Sequence, residues 1–177
     1  RETAQLLSSM YRYCLRSPHS TLGEELECLE LYQRILRLRF SERYTIETNV
    51  PEELYMYPVP RMILEPIDEN PVQHGFVRGK EEQFQVTISA QLDGEDLEVV
   101  VSDNGCGMEE EMIEAFNQRL ASVEMDLSEG KWIGICNVGF RLRLSNGDNS
   151  ALTLAKNSKG GLDVRMRILC MTNVKEI

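Results

Sequence analysis

Apolar residues recur at helical spacings over roughly the first forty positions and then switch to the alternation of strands, so two textures divide the chain. From residue 2 to about 17, Leu6, Leu7, Met10, Tyr13 and Cys14 follow a helical period. Pro18 ends the run, because proline pushes its predecessor out of helical angles. Thr21-Leu22-Gly23-Glu24 has the form of a capping box. Behind it Leu22, Leu26, Leu29, Leu36 and Phe40 recur at threes, fours and a seven, which predicts a longer helix to about Arg43. Leu31, Ile35 and Leu38 give that helix a second apolar side, suited to another neighbour or another subunit. A helical segment over 1–43 and a globular domain over 44–177 are expected.

The second texture opens with the β-branched run Thr45-Ile46-Glu47-Thr48-Asn49-Val50, closed by Pro51. Residues 60–75 return to helical character. Phe84, Val86, Ile88 and Ala90 then alternate with polar residues, as in a half-buried strand. Asp93-Gly94 makes a hairpin turn into a paired strand carrying Leu97, Val99 and Val101. A helix with an acidic start runs from Met108 to about Ser122, a polar stretch that reads as mobile follows through Gly130, and another helix covers 134–145. Strands near 151–156 and 162–170 flank the turn-forming cluster Asn157-Ser158-Lys159-Gly160-Gly161. The predicted architecture is an α/β (α+β) two-layer sandwich: a mixed, mostly antiparallel sheet with helices on one face, preceded by a helical hairpin.

Three places along this frame carry candidate chemistry. On the helix at 60–75, Ile63, Ile67, Asn70 and His74 follow one another at four, three and four residues, an apolar stripe that turns polar with Glu69 beside it. Asn70 and His74 could equally bond within the core, or cap the helix before Gly75. At the end of a hydrophobic strand, Asp103-Asn104-Gly105-Cys106-Gly107 offers a carboxylate that can accept from an exocyclic amine and two glycines that let a flat ring approach. The same residues also suit a plain tight turn. Ile133-Gly134-Ile135-Cys136-Asn137 precedes a helical run through Val138, Arg141 and Leu142, where free N–H groups at a helix start favour phosphate, although an ordinary helix start has the same pattern.

Charge narrows the partners. Nineteen basic residues against 29 acidic ones give a net charge of -10, which repels a phosphate backbone and argues against nucleic acid. A bound nucleotide would need backbone N–H groups, a divalent cation or local cationic side chains. The five cysteines are scattered without a CxxC pair, as in a reduced cytoplasmic protein. No apolar run reaches the roughly 18–20 residues that cross a bilayer. The chain opens on Arg1 within a helical pattern and without an initiator methionine, which predicts an excised piece whose membrane attachment lies in upstream segments.

In this order and spacing, the three segments resemble the N, G1 and G2 boxes of the GHKL ATPases, and among them the LytS-like sensor histidine kinases. Pro66 to Gly75 looks like the N box, Asp103 to Gly107 like G1, and Ile133 to Asn137 like G2. Leu7–Arg16 and Leu26–Phe40, ending in Leu38-Arg39-Phe40, look like the helices that follow the phosphoacceptor, so nearly the whole chain is covered. The resemblance implies a Bergerat-type pocket for ATP and Mg²⁺. In it Asn70 helps ligate the metal, Glu69 acts as base or polarising carboxylate, and Asp103 reads the adenine amine. Gly105 and Gly107 admit the ring, a lid spans about 109–132, and Gly134 and Asn137 belong to the phosphate-binding turn. His74, Lys131 and Arg141 are further phosphate contacts. It also implies a homodimer, a response regulator as partner, and a place as the cytoplasmic portion of a membrane receptor. The acceptor histidine of such kinases has a context that neither His19 nor His74 shares, so it is expected upstream.

The chain departs from the family pattern at several positions. Pro71 follows the N-box asparagine and costs a helix roughly 3 kcal/mol. Asp68 adds a negative charge, Trp132 replaces the first glycine of G2, and Leu162 stands where a threonine is usual. Weak nucleotide affinity or altered lid behaviour is the resulting expectation. The alternative from another class is a non-catalytic GHKL module kept for dimerisation or docking. An anti-sigma-factor kinase is disfavoured by the Leu-Arg-Phe helix.

Overall fold

The computed structural model describes residues 2–40, 43–67, 83–121, 133–146 and 151–169. Its first helices, α1 (Glu2–Cys14) and α2 (Leu22–Phe40), pack together as a hairpin. Leu22, Leu26, Leu29 and Leu36 of α2 are buried, Leu31 and Ile35 are half-buried, and Leu38 is exposed. Thr21 Oγ1 accepts from the Glu24 N–H at 3.3 Å, the first half of the capping box. The Glu24 carboxylate completes no box, because Ser20 and Arg61 hold it instead.

Between the helices lies a short strand with no hydrophobic signature, β1 (His19–Thr21). It pairs antiparallel with β3 (Pro58–Pro60) in the register Ser20↔Val59. This two-stranded sheet fastens the hairpin to the domain. The main sheet has five strands: β2 (Tyr44–Asn49), β4 (Phe84–Asp93), β5 (Asp96–Asp103), β6 (Ala151–Lys156) and β7 (Leu162–Ile168), in the order β2-β4-β5-β7-β6. Only the β2–β4 pair is parallel, with the Tyr44 and Phe84 rings stacked at 5.6 Å. The turn at Asp93-Gly94 falls where it was expected, with Gly94 at φ 66°.

The alternation predicted along β4 and β5 decides which face is covered. Val86, Ile88, Leu97, Val99, Val164 and Met166 are all buried against Ile113 and Leu120 of α3 (Glu110–Ala121) and Ile135, Val138 and Leu142 of α4 (Ile133–Asn146). The opposite face carries Thr87, Ser89, Glu98, Ser102 and Arg165. β6 is a sheet edge. Asn117 of α3 closes part of it, donating to the Leu154 carbonyl and accepting from the Leu154 N–H, both at 2.8 Å.

The segment from 60 departs from expectation. Residues 61–64 are a bend, and helical residues begin only at Glu65. Two causes are visible: Pro58 and Pro60 are engaged with β1, and Met62 has φ 59°, a left-handed angle that a helix cannot contain. Ile63 therefore lies ahead of the helix rather than on the stripe assigned to it, although Ile63 and Ile67 are both fully buried. The first helix also stops at Cys14, short of 17, and the last strand at Ile168, short of 170.

The loop after β5 rests on the turn between β6 and β7 with almost no clearance. A side chain at Gly107, whose φ is 63°, would drive into the Gly160 carbonyl, and one at Gly161 would drive into the Asp103 carbonyl. Gly160 also has a left-handed φ of 87°, but open space beside it. Gly160→Ala is expected to cost only the left-handed strain, about 1–2 kcal/mol. Gly107→Ala adds a backbone collision for a total of about 2–5 kcal/mol. Denaturant unfolding of the two variants checks the order.

Candidate functional site

The alternation of β5 carries a carboxylate to the covered side of the sheet. Leu97, Val99 and Val101 face the helices, and the next position in that period is Asp103, only 9% exposed. Its Oδ1 accepts from the Gly105 N–H at 2.7 Å, and the Leu162 N–H also bonds to it. Burial pushes its pKa above the ordinary aspartate value, assisted by the nearby Asp163 charge and opposed by those two N–H donors. An ionised carboxylate has about four acceptor sites, so two backbone donors leave it able to take another N–H, such as that of an amine.

Two asparagines brace the backbone around this carboxylate, and in the sequence both look only like turn formers. Asn104 extends the β4 ladder: its Oδ1 accepts from the Gln85 N–H at 2.8 Å and its Nδ2 donates to the Gln83 carbonyl at 2.9 Å. Asn157 donates to the Asp103 carbonyl at 2.7 Å while its Oδ1 accepts from the Lys159 and Gly161 N–H groups, both at 3.0 Å. The available signal was an asparagine opening a glycine-rich turn beside the last strand.

The structure brings Asp103, Gly105 and Gly107 together on one loop and Gly134, Asn137 and Arg141 along α4. The space that a Gly107 side chain would enter is filled by the Gly160 carbonyl, so that glycine makes room for the chain's own packing. Gly134 similarly lets α4 approach Pro66, whose carbonyl would lie 3.2 Å from an added Cβ. Asn137 is exposed. Arg141 is half-buried, and its Nη1 donates to the Met62 carbonyl at 2.9 Å, so that donor is engaged by the chain itself. Burial lowers the Arg141 pKa, and the nearby Glu25 carboxylate opposes that shift. Among the described residues no hydrogen bond links Arg141 to Asp103.

Glu69, Asn70, His74 and Lys131, with Asp68, Pro71 and Trp132, lie outside the described residues, as does the second half of the segment assigned to a lid. Among the described residues, no three His, Cys, Asp or Glu side chains gather as a metal site. No described helix is long and apolar enough to cross a membrane. A groove of about 470 Å³ lined by Thr87, Ser89, Glu98, Ser102, Asp163 and Arg165 opens on the uncovered sheet face, away from the Asp103 carboxylate.

Residues 60–169 match the family described as histidine kinase-, DNA gyrase B- and HSP90-like ATPase, and residues 1–44 match the family described as histidine kinase. The sensor protein kinase HptS of Staphylococcus aureus is 30% identical over 161 residues, which cover 89% of this chain and 30% of HptS. The chain thus spans about 30% of the length of this curated relative. The histidine kinase domain of the Erythrobacter litoralis EL346 blue-light activated kinase aligns with a TM-score of 0.57, covering 96% of this chain and 73% of that one at 16% identity. The histidine kinase AdeS of Acinetobacter baumannii aligns with a TM-score of 0.56 over 97% of this chain and 77% of its own, at 12% identity. These two likenesses concern the fold. The family match is broader evidence, for it takes in β4 to β7, α3, α4 and the Asp103 loop: the chain belongs to the histidine kinase-, DNA gyrase B- and HSP90-like ATPases.

Proposed function

We propose that this chain is the ATP-binding catalytic part of a sensor histidine kinase of the LytS-like type, with a helical dimerisation segment over 1–43 and the catalytic domain over 44–177. The observation that carries the reading is the buried Asp103 carboxylate, held at the end of the central strand with acceptor capacity to spare. Asp103 accepts from the adenine exocyclic amine, and Gly105 leaves room beside it. Glu69, two positions beyond the buried Ile67, acts as base or polarising carboxylate, and Asn70 follows it. Asn70 would hold Mg²⁺, which when bound neutralises phosphate charge during transfer. His74, Lys131, Gly134, Asn137 and Arg141 supply further donors to the phosphates, Arg141 after exchanging its bond to Met62.

The γ-phosphoryl group goes to a histidine upstream of Arg1. Support comes from the short span of this chain relative to HptS and from the contexts of His19 and His74. The whole protein would work as a homodimer that passes phosphate to a response regulator, as the cytoplasmic portion of a membrane receptor. Exposed Leu7, Tyr11 and Leu38 on the hairpin support the dimer.

A second reading, a GHKL module that docks without catalysis, has its own support. The spaces at Gly107 and Gly134 meet the chain's own atoms, and Leu162 is buried where the family's threonine would stand. Calorimetric titration with a non-hydrolysable ATP analogue and Mg²⁺ separates the two. Saturable binding is expected, weakened about 10- to 100-fold by Asp103→Asn, the worth of one hydrogen bond to a charged group. A folded chain that binds nothing leaves the docking reading. Stable label from γ-labelled ATP on the 177-residue chain would overturn the upstream acceptor.

The raised Asp103 pKa fixes the sign of a pH effect. Protonation of a group whose folded pKa is raised contributes stability that is present below its unfolded pKa and lost as pH rises through the folded one. Above that folded pKa the unliganded chain bears a buried charge. Asp103→Asn is expected to raise the thermal midpoint in that range while lowering affinity. Adenine binding should weaken as pH falls through the raised pKa, above the range of an ordinary aspartate. Titrations and melts across pH 4–7 check both; a midpoint lowered by Asp103→Asn would contradict the buried-charge account.

A further inference from the structure

Glu25 is 2% exposed, lies in the first turn of α2, and is untouched by the functional reading above. Its Oε1 accepts from the Met62 N–H at 2.8 Å, and its Oε2 from the Ile63 N–H at 2.9 Å and the Leu64 N–H at 3.3 Å. The Tyr13 hydroxyl of α1 donates to the same carboxylate. The three N–H groups belong to the bend that immediately precedes the helical residues beginning at Glu65, and the last of them, on Leu64, is also one that a helix start leaves without an internal partner. Their cap comes from 37–39 residues away rather than from a neighbour in sequence. The left-handed Met62 turns consecutive N–H groups toward one anion, an arrangement suited to a carboxylate.

Such strain persists only where the surroundings over-determine it. Arg61 donates from Nε to the Ser17 carbonyl at 2.6 Å and from Nη2 to the His19 carbonyl at 2.9 Å, and its guanidinium lies 4.3 Å from the centre of the Tyr13 ring. Arg141 holds the Met62 carbonyl from the other side. The buried Glu25 carboxylate is thus met by a hydroxyl and three backbone donors, with the Arg141 guanidinium interacting with it electrostatically.

We propose that Glu25 is a positioning residue for the nucleotide site, its carboxylate on α2 fixing the start of the segment that runs through Ile67 into Glu69 and Asn70. The inference rests on the kinase reading for what Asn70 does. A shift of α2 carries the carboxylate with it, and the row of N–H groups follows because each donates directly to it. Glu25 thereby couples the helical hairpin to the phosphate side of the site, while Asp103 stands on the sheet and bonds to other donors.

The full chain and its Glu25→Gln, Tyr13→Phe and Asp103→Asn variants are titrated calorimetrically with a non-hydrolysable ATP analogue and Mg²⁺. Loss of the charge in Glu25→Gln is expected to raise Kd about tenfold with the binding stoichiometry intact, the scale of one charge-assisted hydrogen bond. Tyr13→Phe, which keeps the ring under Arg61, should raise it by about threefold, as for one neutral partner removed. A merely structural role has another signature: the stoichiometry falls with the folded fraction and the Kd of what remains is unchanged. That result, or a Kd unmoved in both variants while Asp103→Asn still weakens binding, overturns the positioning role and leaves the nucleotide site standing. No binding by the unaltered chain overturns both.

Discussion

β5 is the central strand of the sheet, paired with β4 on one side and β7 on the other, and every second residue along it must be sealed from water. Leu97, Val99 and Val101 satisfy that demand with side chains that are 0–2% exposed, and they hold α3 and α4 to the sheet. The period does not stop where the hydrophobic residues do. It carries Asp103 to the same side, where a carboxylate is costly unless donors meet it. Gly105 and Leu162 supply those donors. For Leu162 to reach, the β6–β7 turn must close over the end of β5, and it closes only because positions 107 and 161 lack side chains. One alternation therefore sets the core, the placement of the carboxylate and the glycines around it.

A second junction is polar. β1 and β3 tie the hairpin to the domain by backbone pairing, and the Tyr13, Glu24, Glu25 and Arg61 cluster closes beside them. A hydrophobic contact between hairpin and domain would tolerate sliding, since dispersion and burial have little directional preference. Hydrogen bonds to fixed backbone N–H groups do not, because a displacement leaves a buried charge without partners. In this chain, where a histidine kinase match over 1–44 precedes the ATPase match over 60–169, that distinction bears on whether the two parts move independently.

Much of the architecture was legible in the chain. Period-two patterns at 84–90 and 97–101 placed β4 and β5, the glycine after Asp93 placed their turn, and the leucines from 22 to 36 placed the buried side of α2. Asp103 was legible as well, because it ends a hydrophobic strand and precedes two glycines. Residues 60–64 were not. Their apolar composition suits a helix, but Pro58 and Pro60 are drawn into pairing with β1 and Met62 takes a left-handed turn against Glu25. Arg141 was legible only in part for the same reason: its place on α4 does not reveal that its Nη1 is engaged by the Met62 carbonyl.

The sequence by itself determined the helical hairpin, the strands of the sheet, the covered face and the carboxylate at its edge, since periodicity and turn chemistry act between residues a few positions apart. Only the tertiary structure decided that Gly107 and Gly134 make room for Gly160 and Pro66, and that Glu25 caps a segment 37–39 residues away. Those outcomes depend on which distant backbone groups the packed core presses together. A glycine or a glutamate reads the same in the chain whether its partner is a ligand or a carbonyl from another strand.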